Sequence, residues 1–142
     1  VQITATDSVR LDGESSNGTS SAIFSQVAPG AEGNSGGIEL TSASLEVTNG
    51  AEINASTLGV GNSGAVKITA TDSIRLDGED SDGFASGVFS QVNLGATGDS
   101  RGIEMTTSTL DVTNGAAVSA STSGEGNVGA VKITATDSIP GV

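Results

Sequence analysis

Cysteine, histidine, tryptophan and tyrosine are absent from this chain, and phenylalanine occurs only three times. Without cysteine there is no disulfide and no thiolate metal site. The lack of histidine, cysteine and tyrosine leaves carboxylates or lysine as the only general acids and bases. The carboxylates recur along the chain instead of gathering at one place, so no enzyme is expected. Basic residues are scarce as well: 5 Lys and Arg face 17 Asp and Glu, a net charge of −12. Nucleic acid is a poor partner without a basic stripe and stacking aromatics, and anionic membrane is disfavoured for the same reason. No apolar run is long enough to span a bilayer, no secretory leader is recognisable at the start, and membrane insertion is not expected. With 2% aromatics and 21 glycines in 142 residues, there is little from which to build a broad globular core.

What the chain does have is repetition. Val1-Gln2-Ile3-Thr4-Ala5-Thr6-Asp7-Ser8 returns as Val66-Lys67-Ile68-Thr69-Ala70-Thr71-Asp72-Ser73 and again as Val131-Lys132-Ile133-Thr134-Ala135-Thr136-Asp137-Ser138, a period of 65 residues (66 − 1 = 65). The repeats run 1–65, 66–130 and a partial 131–142, which predicts one domain. Because the chain opens on a strand and closes inside a repeat, it reads as a segment of a longer or polymeric assembly. Gly33-Asn34-Ser35-Gly36-Gly37 is echoed by Gly61-Asn62-Ser63-Gly64-Ala65 and divides the period again. Units start at Val1, Ile38, Val66, Ile103 and Val131, so long units of 37 residues alternate with short units of 28 (38 − 1 = 37; 66 − 38 = 28).

Each unit holds three short runs of alternating polarity, such as Ile38–Thr41, Leu45–Thr48 and Glu52–Ser56, rich in β-branched residues and bounded by Gly, Asn and Asp. That pattern predicts strands. Three strands per unit, repeated, predict an all-β parallel β-helix (solenoid) of about four and a half coils, with strands stacked about 4.8 Å apart. Asn49-Gly50 and Asn114-Gly115 fall where Asp12-Gly13 and Asp77-Gly78 fall in the long units, predicting positive φ at one corner throughout. An antiparallel hairpin at each Asn-Gly pair is the competing expectation. The interior would be columns such as Val1, Ile38, Val66, Ile103 and Val131, or Ile3, Leu40, Ile68, Met105 and Ile133.

Charge supports stacking separately. The outward column of the first run reads Gln2, Glu39, Lys67, Glu104, Lys132, and that of the second reads Arg10, Glu46, Arg75, Asp111. Signs alternate, so each basic residue should lie between acidic neighbours, and a shift by one unit would set like charges together.

Each long unit carries an insert before its third run, 14–20 and 79–85, and loops on a rigid scaffold are the usual place for contact with a partner. The second insert supplies the single cofactor candidate: Asp77, Glu79, Asp80 and Asp82 could hold calcium, a hard cation that takes oxygen ligands, although the bidentate acid at the far end of a calcium loop is missing. No other cofactor is expected. Phe24 and Phe89 occupy matching places in the third run and form a contact stripe if they face out; alternation leaves inward and outward registers open. Thr4, Thr41, Thr69, Thr106 and Thr134 should form an outward ladder, which raises ice binding as a minor alternative.

Three segments, Gly61–Gly78, Gly87–Gly98 and Leu110–Thr122, resemble the repeat region of two-partner-secretion exoproteins, the filamentous-haemagglutinin-like proteins, in their cyanobacterial form. The resemblance covers essentially the whole chain. It implies a right-handed parallel β-helix, secreted by a Gram-negative-type bacterium to the cell surface or extracellular matrix as an adhesin or structural fibre. The expected partners are neighbouring coils or further copies, stacked head to tail, together with surface glycans or other cells. A calcium-dependent, carbohydrate-contacting adhesin acting through the long-unit loops is the alternative. Pro140, standing where Arg75 stands one repeat earlier, would remove a strand donor and disturb continued stacking.

Overall fold

The computed structural model describes residues 1–138; Pro140 and the continuation to Val142 lie outside them. Every regular element among the described residues is a strand: β1 (Gln2–Thr4), β2 (Ser8–Asp12), β3 (Ala22–Val27), β4 (Ile38–Thr48), β5 (Glu52–Thr57), β6 (Val66–Asp77), β7 (Gly87–Val92), β8 (Ile103–Thr113), β9 (Ala117–Thr122) and β10 (Val131–Ser138). They form two sheets, β1-β4-β6-β8-β10 with β2 also on β4, and β3-β5-β7-β9. All the pairings between these strands are parallel. The architecture is therefore all-β and solenoid-like. The Asn-Gly pairs close no hairpin; they turn the chain from the first sheet into the second.

Register follows the sequence repeat. Gln2 lies opposite Glu39, Glu39 opposite Lys67, Lys67 opposite Glu104 and Glu104 opposite Lys132. The inward residues consequently stack by type. Leu40, Ile68 and Met105 are 0% exposed, as are Val47 and Leu76 beside them. Each such side chain removed from water contributes roughly 1.5–3 kcal/mol. The columns open at the outer units, where Val1 and Val131 are 53% and 40% exposed.

Two features differ from the sequence reading. The first and second runs are one continuous strand in β4, β6 and β8, with a register shift in the middle. Small side chains explain this: Ser42, Ala70 and Thr107 are buried at the bend, so the backbone bulges and keeps its pairing instead of turning. Only the first unit splits into β1 and β2. There is also a third side, stitched by isolated parallel bridges from Glu32 through Val60 and Thr97 to Glu125, and from Ser63 through Ser100 to Val128.

The corners are held by polar side chains. Gly13, Gly50, Gly78 and Gly115 all have positive φ, as expected, and Asn49 and Asn114 share it at 54° and 53°. In the third side the Asn34 side-chain oxygen accepts from the Asn62 N–H at 2.9 Å, Asn62 from Asp99 at 2.7 Å, and Asp99 from Asn127 at 2.8 Å. The preceding glycines pack so closely that a Cβ on Gly61 would overlap the Gly33 carbonyl.

Candidate functional site

The outer face of the second sheet differs from that of the first. Ile23, Ile53 and Val88 point inward, which turns Phe24 and Phe89 out and resolves the two registers left open by alternation. Phe24 is 47% exposed. Stacking then alternates large and small side chains: Phe24, Asn54, Phe89, Ser119 in one row and Gln26, Ser56, Gln91, Ser121 in the next. The long units supply the large members. Asn54 and Ser56, lying between them, are only 9% and 1% exposed although they face away from the core.

The inserts border this face. Each is pinched at its base by an antiparallel bridge, Glu14 to Ser20 and Glu79 to Ala85. They touch each other, since the Ser81 N–H donates to Glu14 Oε1 at 3.0 Å. Between loops and sheet lies an open cleft of about 570 Å³ lined by Glu52, Asn54, Asp82, Phe84, Phe89 and Gln91, among others. Phe84 is 69% exposed at its rim. Asn54 Nδ2 donates to Glu52 Oε2 at 3.2 Å, while Asn54 Oδ1 is buried without a partner. Burial pushes the Glu52 carboxyl above its ordinary value, against the smaller opposing effect of that hydrogen bond.

The four calcium candidates are distributed differently from the sequence expectation. Asp77 turns to the next unit, where Oδ1 accepts from Thr113 Oγ1 at 2.7 Å and Asn114 Nδ2 at 2.6 Å, and Oδ2 meets Arg75 at 2.9 Å. Asp80 closes its own loop by accepting from the N–H groups of Asp82 and Phe84. Glu79 lies over Gly115. Among the described residues, no three acidic side chains converge as a cation cage. Asp12 repeats the Asp77 arrangement, accepting from Thr48 at 2.6 Å and Asn49 at 2.8 Å. These donors hold both carboxyls below the ordinary value, the hydroxyl first, then the amide, with Arg10 or Arg75 adding less.

Both charge columns are in the expected register, and the second closes partway. Glu46 lies between Arg10 at 3.8 Å and Arg75 at 3.3 Å. Arg75 then turns to Asp77 within its own strand, not to Asp111. Among the described residues, the column Glu39, Lys67, Glu104, Lys132 makes no ion pair within 4 Å. These side chains project into water, where pairing gains little over hydration. Thr4, Thr41, Thr69, Thr106 and Thr134 stack in register beside them.

Among the described residues, no helix is long and apolar enough to cross a membrane. No family model, curated protein or solved structure matches the chain.

Proposed function

We propose that the chain is a shaft segment of an extracellular structural and adhesive fibre: a right-handed parallel β-helix of alternating 37- and 28-residue coils, four complete and a fifth begun. The observation that supports it most is the continuity of the ladder. The strand β10 repeats the first eight residues of β6 and pairs on β8 in the register that β6 uses on β4. A further unit, from the same chain or from another copy, would meet the same open backbone edge and the same apolar columns. The resemblance to filamentous-haemagglutinin-like repeats supports secretion by a cyanobacterial-type cell and display at its surface or in the matrix.

A second reading, contact with glycans through the long-unit loops, is favoured by the cleft beside them. Calcium finds less support as its mediator, because both oxygens of Asp77 and Oδ1 of Asp80 already accept from protein donors. Ice binding has the threonine column in its favour, but the adjoining column of Glu39, Lys67 and Glu104 is charged.

Electron microscopy with fibre diffraction on the purified segment tests the principal reading. Filaments with an axial repeat near 4.8 Å are expected; discrete particles at every concentration would remove self-stacking. Deleting 14–20 and 79–85 should abolish attachment to cells without changing filaments, and unchanged attachment would remove the loops from the adhesive role.

A further inference from the structure

The cleft beside the second sheet has a one-sided chemistry. Its charged groups are carboxylates, Glu52 and Asp82 among them, and no lysine or arginine among the described residues lines it. Asn54, 9% exposed, gives its amide N–H to Glu52 and keeps a buried oxygen with no donor. A buried acceptor left unpaired costs free energy that a ligand donor would recover. Phe84 adds an aromatic face exposed at 69% beside that of Phe89. Rings of this kind attract cations and the C–H faces of saturated rings. The volume, about 570 Å³, lies in the range of small-ligand sites.

We infer that this cleft binds a glycan carrying free amino groups, its ammonium directed to Glu52 and Asp82, a ring face on Phe84 and a hydroxyl donating to Asn54 Oδ1 once the amide turns toward the cleft. An ammonium would supply the counter-charge that Glu52 lacks in its half-buried position. The amides of Asn54 and Gln91 offer both donors and acceptors, which suits a polyhydroxylated ring better than the methylene stem of a lysine side chain. The inference deepens the loop-contact reading and is independent of self-stacking.

Isothermal titration of the chain with glucosamine trisaccharide, N-acetylglucosamine trisaccharide and trilysine tests it. The free-amine sugar should bind, and acetylation, which removes the charge, should weaken binding by about tenfold or more. Phe84→Ala and Asp82→Asn, both at exposed loop positions, should each weaken the free-amine sugar by about fivefold or more with an unchanged β-sheet spectrum. Equal affinity for the acetylated sugar would overturn the cationic requirement, and equal affinity for trilysine the sugar. Absence of binding, or variants that bind as the parent does, would overturn the site. Filament formation, scored separately, reports on the stacking reading whichever result is obtained.

Discussion

The two sheets are built on the same parallel ladder, yet their outer faces behave differently. In the first half of β4, from Ile38 to Ser42, burial alternates residue by residue, with Leu40 at 0% beside exposed Glu39 and Thr41. In β5 it does not: Ile53, Asn54, Ala55, Ser56 and Thr57 are all buried. The backbone geometry is shared, so the difference comes from side-chain size in neighbouring units and from the loops. Phe24, Phe89, Gln26 and Gln91 overshadow the short residues between them. One sheet therefore presents a solvated, repetitive wall, and the other a covered face with a cleft. A uniform solenoid acquires a local site when alternate units differ in what they stack.

The largest break in this comparison comes from the shared interior. Leu40→Ala should cost about 2–5 kcal/mol, read from the midpoint of urea unfolding, and should damage both sheets together. Gly61→Ala comes next, with an expected cost of about 2 kcal/mol or more, because the residue has φ of 140° and its Cβ would overlap Gly33. Thermal melting of that variant tests whether the third side is as rigid as the sheets.

A smaller effect separates long from short units. In the long units serines pair across the interior, half-buried Ser25 with Ser35 at 2.7 Å and buried Ser90 with Ser100 at 2.5 Å. In one short unit Ala55 stands at the first position, and the Ser63 hydroxyl is buried without a partner. Ser63→Ala should therefore be neutral or stabilising by up to about 1 kcal/mol, whereas Ser100→Ala should cost about 1–3 kcal/mol by stranding Ser90. The same melts read both signs.

Acid should distinguish the corners from the covered face. Asp12 and Asp77 are held below the ordinary 3.8, so the unfolded chain takes up their protons first as pH falls. Their stabilising contribution is complete above that value and is lost as pH drops through the folded values. Glu52, raised above 4.5, acts oppositely: its contribution is full at low pH and is lost as pH rises through its folded value. Asp12→Asn with Asp77→Asn should flatten the acid limb of stability below about pH 4, and Glu52→Gln should remove the opposing slope above it. Smallest of all, Glu46→Gln should cost about 0.2–1 kcal/mol and less at high salt, since its partners Arg10 and Arg75 are both exposed.

Strand runs, inward columns and register were legible because repetition prints the same alternation several times. The corner glycines were legible for the same reason. The merging of two runs into β4 was not, because Ser42-Ala43-Ser44 reads as punctuation and only the stacked neighbours keep it paired. The ladder from Asn34 to Asn127 had a visible signal in the echo of Gly33-Asn34 by Gly61-Asn62, which marks where units divide without showing the side-chain bonds. The cleft had none: Phe84 is distant in sequence from Glu52 and Asn54, and their meeting depends on which sizes alternate on the outer face. The bonds of Asp77 to the next unit were not legible either, because its partners, Thr113 and Asn114, lie 36 and 37 residues away.

The central claim is a linear stack of parallel units in register, and the absence of cysteine allows it to be measured directly. Nitroxide labels on Gln2→Cys and Lys132→Cys stand four ladder steps apart, a backbone separation of about 19 Å, which double electron–electron resonance resolves. A single narrow distribution close to that distance is the predicted result; a broad distribution, or one centred far beyond it, would contradict the stack.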